Sequence, residues 1–69
     1  MKGILICSGD RPDVALYNGR LLGGLHCGDC FLCKLNGQWE KVRLELSSEW
    51  ELVGSECRLP VPYGSEIIL

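Results

Sequence analysis

The chain alternates short apolar runs with turn residues, and nowhere do apolar positions recur at helical spacing across three turns. Gly, Asn-Gly and Pro interrupt it roughly every 8 to 12 residues, the rhythm of small sandwiches and barrels. The pattern predicts a first strand from Gly3 to Cys7. Ser8-Gly9-Asp10-Arg11-Pro12-Asp13 follows as a turn, because Gly tolerates positive φ and Pro presets φ near −65°. A second short strand covers Val14 to Tyr17. Asn18-Gly19 then matches the type I′ hairpin signal, and Arg20-Leu21-Leu22 returns toward the Gly23-Gly24 break before Leu25-His26-Cys27.

The strongest local pattern is Phe31 to Leu46, two alternating runs around a second Asn-Gly at Asn36-Gly37. A two-residue turn pairs Leu35 with Gln38, Lys34 with Trp39, Cys33 with Glu40, Leu32 with Lys41, Phe31 with Val42 and Cys30 with Arg43. Alternation then turns Phe31, Val42, Leu44 and Leu46 inward and Leu32, Lys34, Trp39, Lys41 and Arg43 outward. A further strand runs from Trp50 to Gly54. A three-residue loop, Ser47-Ser48-Glu49, pairs Leu46 with Trp50 and Leu44 with Leu52, sending the apolar residues inward, at the cost of setting Glu45 opposite Glu51. A two-residue loop would instead turn Glu49 and Glu51 into the core. Pro60 and Pro62 exclude a central strand there, so residues 55–64 read as a connection, extended or a single turn, before a last strand within Ser65 to Leu69.

Together these elements predict one all-β domain over residues 1–69, an SH3-like antiparallel barrel of five to seven short strands, since closure buries one face and limits exposed edges. An open antiparallel sheet with one helix is the runner-up.

Composition narrows the function classes. A 69-residue chain with 46% hydrophobic and 23% charged positions is globular, with a thin core and little room for an enclosed active site. Its formal charge of −2 supplies no broad attraction for nucleic acid or anionic membranes. No stretch reaches the roughly 20 apolar residues that span a bilayer. The apolar run at Ile4-Leu5-Ile6-Cys7 is too short for a signal-peptide core, so the chain reads as cytoplasmic, its five cysteines as reduced thiols.

Cys27-Gly28-Asp29-Cys30-Phe31-Leu32-Cys33 holds two overlapping C-x-x-C spacings, the spacing at which one turn offers two thiolates to zinc. Cys30 and Cys33 fall on opposite faces of the expected strand, leaving Cys27 and Cys30 as the one workable pair; His26, Cys7 and Cys57 are isolated. The simpler reading makes the cysteines small hydrophobes, with Cys7 and Cys33 in the core and Cys57 near the barrel seam. A redox couple lacks the helix N-terminus that lowers a thiol pKa. His26, the one histidine, has no nucleophile or carboxylate paired with it in a triad pattern, and Asp29 suits a turn carboxylate accepting backbone N–H bonds.

Tyr17-Asn18-Gly19-Arg20, Leu25-His26-Cys27-Gly28-Asp29-Cys30-Phe31, the Asn36-Gly37-x-Trp39 hairpin running to Arg43-Leu44-Glu45, and Trp50-x-Leu52-Val53-Gly54 resemble a small domain-of-unknown-function family of Gram-positive bacteria. Its most specific stretch is Leu-His-Cys-Gly-Asp-Cys-Phe. The resemblance implies a single all-β domain and brings no activity; Cys7, Cys33 and Cys57 lie outside its pattern.

The expectation is therefore a non-enzymatic binding module without a cofactor. Its candidate surface is the outer hairpin face of Lys34, Trp39, Lys41 and Arg43, an aromatic among three cations. A protein partner fits better than nucleic acid, because Glu40, Glu45, Glu49 and Glu51 dilute the positive potential. The alternatives are a small zinc-binding protein centred on Cys27 and Cys30, a nucleic-acid-binding barrel, and self-association through a strand edge or the terminal Ile67-Ile68-Leu69.

Overall fold

The computed structural model describes Met1–Leu69. Its elements are β1 (Lys2–Ser8), β2 (Arg11–Leu16), β3 (Cys30–Leu35), β4 (Gln38–Leu46), β5 (Trp50–Val53), β6 (Arg58–Pro60) and β7 (Glu66–Ile68), with no helix. All pairings are antiparallel, and the seven strands form one sheet in the order β2-β1-β7-β3-β4-β5-β6. The small all-β domain is as the sequence predicts. The sheet is not closed into a barrel, because its end strands β2 and β6 do not pair. It curls instead, and Trp50 at the start of β5 reaches the β1–β2 turn, donating from Nε1 to the Asp10 carbonyl at 3.1 Å beneath the Arg11 guanidinium.

The concave face buries Leu5, Val14, Leu25, Phe31, Cys33, Val42, Leu44, Leu52, Val61 and Ile67. Six of the seven strands or their flanks supply this core through one side of their alternation, with Leu25 and Val61 entering from loops. Gly3 sits at an inward position of β1, where an added Cβ would lie 2.8 Å from the Ala15 carbonyl oxygen. Its missing side chain lets β2 lie close.

The central hairpin has the register that counting gives, from Cys30 opposite Arg43 to Leu35 opposite Gln38. Asn36 (φ 51°) and Gly37 (φ 80°) both take the left-handed conformation a type I′ turn requires. Beyond Leu46 the three-residue loop also holds: Leu46 pairs with Trp50, Leu44 with Leu52 and Glu45 with Glu51. Each of those two carboxylates has its own cation, Arg43 on Glu45 and Arg58 on Glu51, which offsets their repulsion. Leu46 has inward parity yet is 52% exposed, because β4 runs past the end of the core.

Four other expectations are corrected. The turn after β1 is only Gly9-Asp10, with Gly9 at φ 67°, so Arg11, Pro12 and Asp13 belong to β2. Asn18-Gly19 is not a type I′ turn: Gly19 has positive φ and Asn18 does not, and Leu16 donates to the Arg20 carbonyl across the three-residue loop Tyr17-Asn18-Gly19. Residues 58–60 form a strand after all, at the sheet edge where Pro60 loses no ladder bond. Cys7 is exposed and not in the core, and Cys57 is exposed as well.

Asp13 explains the second correction. The side chain is 3% exposed, and its Oδ1 accepts from the backbone N–H groups of Val14 (2.7 Å), Gly23 (3.1 Å) and Gly24 (2.8 Å). A buried carboxylate needs such donors. Supplying them brings the Gly23-Gly24 break beside Asp13, so Ala15 bridges Leu21 and Leu22 donates to the Val14 carbonyl. A two-residue loop would shift the returning chain by one position and withdraw these donors.

Candidate outer-face site

The convex face carries the candidate side chains, and the register decides their neighbours. Lys34 and Trp39 stand opposite each other on β3 and β4, with the Lys34 ammonium 5.9 Å from the Trp39 ring centroid. The same Nζ lies 3.5 Å from Glu66 Oε2 on β7, and the Tyr17 hydroxyl donates to Glu66 Oε1 at 3.4 Å. Tyr17, Glu66, Lys34 and Trp39 thus form a continuous polar–aromatic row. Arg43 is engaged by Glu45. Among the three candidate cations, Lys41 alone has no carboxylate partner.

A second row lies beside the first. β7 enters between β1 and β3, pairing Lys2 with Ile68 and Ile68 with Leu32, while Leu32 pairs with Lys41. The result is Lys2–Ile68–Leu32–Lys41 across four strands. Leu32 is 37% exposed and Trp39 39%, so the face offers apolar surface to solvent between its lysines. Lys2, Ile68 and Glu66 are members that sequence reasoning missed. Alternation alone could place each residue on a face, but not the order in which the strands assemble.

Cys27 and Cys30 occupy the turn before β3. Gly28 (φ 95°) makes the bend, and Asp29 closes it by accepting from the His26 N–H at 2.8 Å, the turn-carboxylate role its position suggests. The Cys27 thiol donates to Glu45 Oε1 at 3.2 Å and the Cys30 thiol to the Gly28 carbonyl at 3.6 Å. No three His, Cys, Asp or Glu side chains group closely enough to hold a metal ion. The hydrogen bond from Cys27 is the main cause that lowers the Glu45 pKa, with Arg43 second. Burial pushes the Cys33 thiol up to about 11, against a smaller lowering by Ser65. Tyr63 is raised by partial burial and then by the Cys7 thiol beside it.

The largest recesses are open. One of about 530 Å³ lies between the tip of the β3–β4 hairpin and residues 55–65, mixing Glu40, Glu56 and Cys57 with Leu35, Leu59 and Pro62. His26 stands apart from it. β7 is paired on both sides and the outer edge of β2 is covered by residues 20–22, so the open edge of the sheet is β6.

Residues 4–64 match the family described as Domain of unknown function (DUF5348). The chain is a member of that family. As a DUF5348 domain it also resembles a crystallised protein from Ruminococcus gnavus, with 33% identity, a TM-score of 0.80 and all of both chains covered. No curated protein matches it. The likeness to a gut bacterium's protein agrees with the bacterial family its motifs suggest, and the family brings no activity with it. No helix of the chain is long and apolar enough to cross a membrane.

Proposed function

We propose that this DUF5348 domain is a non-enzymatic module that binds a protein through the convex face of its β3–β4 hairpin. The observation that carries the reading is the exposed Trp39 ring, flanked by Lys34 and backed by the unpaired Lys41. An exposed aromatic held in place by strand pairing loses little entropy on contact, which suits it to an interface. The formal charge of −2 and the carboxylates on Lys34 and Arg43 favour a protein over nucleic acid. Five free thiols, four of them exposed, suit action in the reducing cytoplasm.

The test uses peptides selected by panning a random displayed library on the full chain. Trp39→Ala is expected to weaken the selected peptides at least tenfold while leaving the melting temperature within about 2 °C, as for a surface substitution. Unchanged affinity would refute the role of this face, and a large drop in melting temperature would make Trp39 a structural residue. Salt-dependent binding of single-stranded DNA, stronger than that of any selected peptide, would transfer the face to nucleic acid.

A further inference from the structure

We infer that the convex face takes an extended protein segment of the pattern acidic–x–apolar–x–acidic, laid along the row Lys2–Ile68–Leu32–Lys41. This deepens the reading above and rests on it. The row is built by three separate strand pairings, so its four side chains emerge on one face in a fixed order.

Charge complementarity selects the occupant. The two lysines at the ends of the row are the convex-face cations without a carboxylate, whereas Lys34 and Arg43 are already held by Glu66 and Glu45. Between the free lysines the surface is apolar. At the Lys41 end of the row, Leu32 and Ile68 line a shallow depression of about 220 Å³ together with Cys30, Phe31, Lys41 and Leu69. That volume is below the range of about 300 to 1,000 Å³ typical of small-molecule pockets, and it suits a side chain from a protein segment.

Spacing gives the pattern. Adjacent strands lie about 4.8 Å apart, so the lysine Cα atoms at the two ends are separated by about 14 Å. An extended segment rising about 3.3 Å per residue covers that span in about four residues. Positions i, i+2 and i+4 of such a segment share one face, which sets two carboxylates against Lys2 and Lys41 and one apolar side chain over Leu32 and Ile68. Such a segment crosses the strands and leaves the sheet's hydrogen bonds intact.

The experiment begins with the peptides selected on the full chain. Their consensus is expected to show Asp or Glu four residues apart around a central Leu, Ile or Val, and amide shifts on binding are expected at Lys2, Leu32, Lys41 and Ile68. The paired reversal Lys2→Glu with Lys41→Glu is expected to weaken the peptides at least tenfold, and peptides with the two acids changed to Lys are expected to recover binding to that variant. Leu32→Asp, at a 37%-exposed position, is expected to abolish binding with native amide dispersion retained. A neutral or basic consensus, or no recovery on charge exchange, overturns the inference. If binding falls with Trp39→Ala but not with Leu32→Asp or the paired reversal, the row is wrong and the hairpin-face reading stands; if no variant matters, both fall. Tighter binding to vesicles of phosphatidylcholine and phosphatidylglycerol than to any selected peptide would give the face to a membrane and likewise overturn the inference.

Discussion

Asn-Gly occurs twice in this chain, and the two copies make different turns. At Asn36-Gly37 both residues take positive φ and close a two-residue loop; at Asn18-Gly19 only Gly19 does, and the loop has three residues. The dipeptide is the same, so the difference comes from what the flanking chain must reach. Around Asn36-Gly37, alternation already puts Phe31, Cys33 and Val42 on the core side with a two-residue loop. Around Asn18-Gly19, a buried carboxylate needs the Gly23 and Gly24 amides, and one extra loop residue delivers them. Asn18 has a second task, its Oδ1 accepting from the Arg20 N–H at 3.0 Å. A turn signal predicts a reversal, whereas the contacts outside it choose the loop length.

The largest expected effect probes the non-local half of this comparison. Asp13→Ala leaves three backbone donors without their acceptor; the buried Val14 N–H costs about 1 to 3 kcal/mol, and the part-buried Gly23 and Gly24 N–H groups, which water can reach, cost less. A loss of about 2 to 4 kcal/mol in urea unfolding is expected, together with early hydrogen exchange at Gly23 and Gly24. A loss below about 1 kcal/mol would mean that Asp13 does not set the register.

The turns themselves give a smaller contrast. Asn36→Ala forces a side chain without local hydrogen bonding into the left-handed region and should cost about 1 to 2 kcal/mol. Asn18→Ala removes one exposed hydrogen bond from a residue with ordinary φ and should cost about 0.5 kcal/mol. Equal losses would erase the distinction between the turns.

Cys33 gives the hairpin a pH signature. Burial raises its thiol from 9.0 to about 11, so the folded chain keeps a proton that the unfolded chain releases. Stability from this group is complete below pH 9 and declines as pH rises toward 11, where the unfolded state binds fewer protons. Cys33→Val, a small apolar replacement, should remove that part of the decline in unfolding midpoints measured between these values. In the native protein four thiols should react quickly with a disulfide reagent, and Cys33 only on opening.

The smallest effect lies at the surface. Arg43→Ala removes one of the groups that lower the Glu45 pKa, so its carboxyl titration followed by carbon NMR should move upward, with the Cys27 hydrogen bond still holding part of the shift. A titration that does not move would leave the lowering to Cys27 and Arg58.

Much of the fold was legible because much of it is local. The hairpin register, the loop at Ser47-Ser48-Glu49 and the outward Lys34–Trp39 pair follow from alternation and turn chemistry acting over a few residues. The same reasoning put Cys7 in the core and missed that β1 leaves the core before it reaches that residue. The candidate site was half visible. Lys34, Trp39, Lys41 and Arg43 were placed on one face, but their carboxylate partner Glu66 and the neighbours Lys2 and Ile68 arrive on strands distant in sequence.

By itself, then, the sequence determined the all-β class, the two-sided pattern of each strand and the central hairpin, since backbone sterics and period-two alternation act within a few residues. The tertiary structure decided the insertion of β7 between β1 and β3, the curled sheet in place of a closed barrel, and the burial of Asp13. Those outcomes depend on which distant strand best buries a shared face and satisfies a buried carboxylate, and no local pattern encodes that choice.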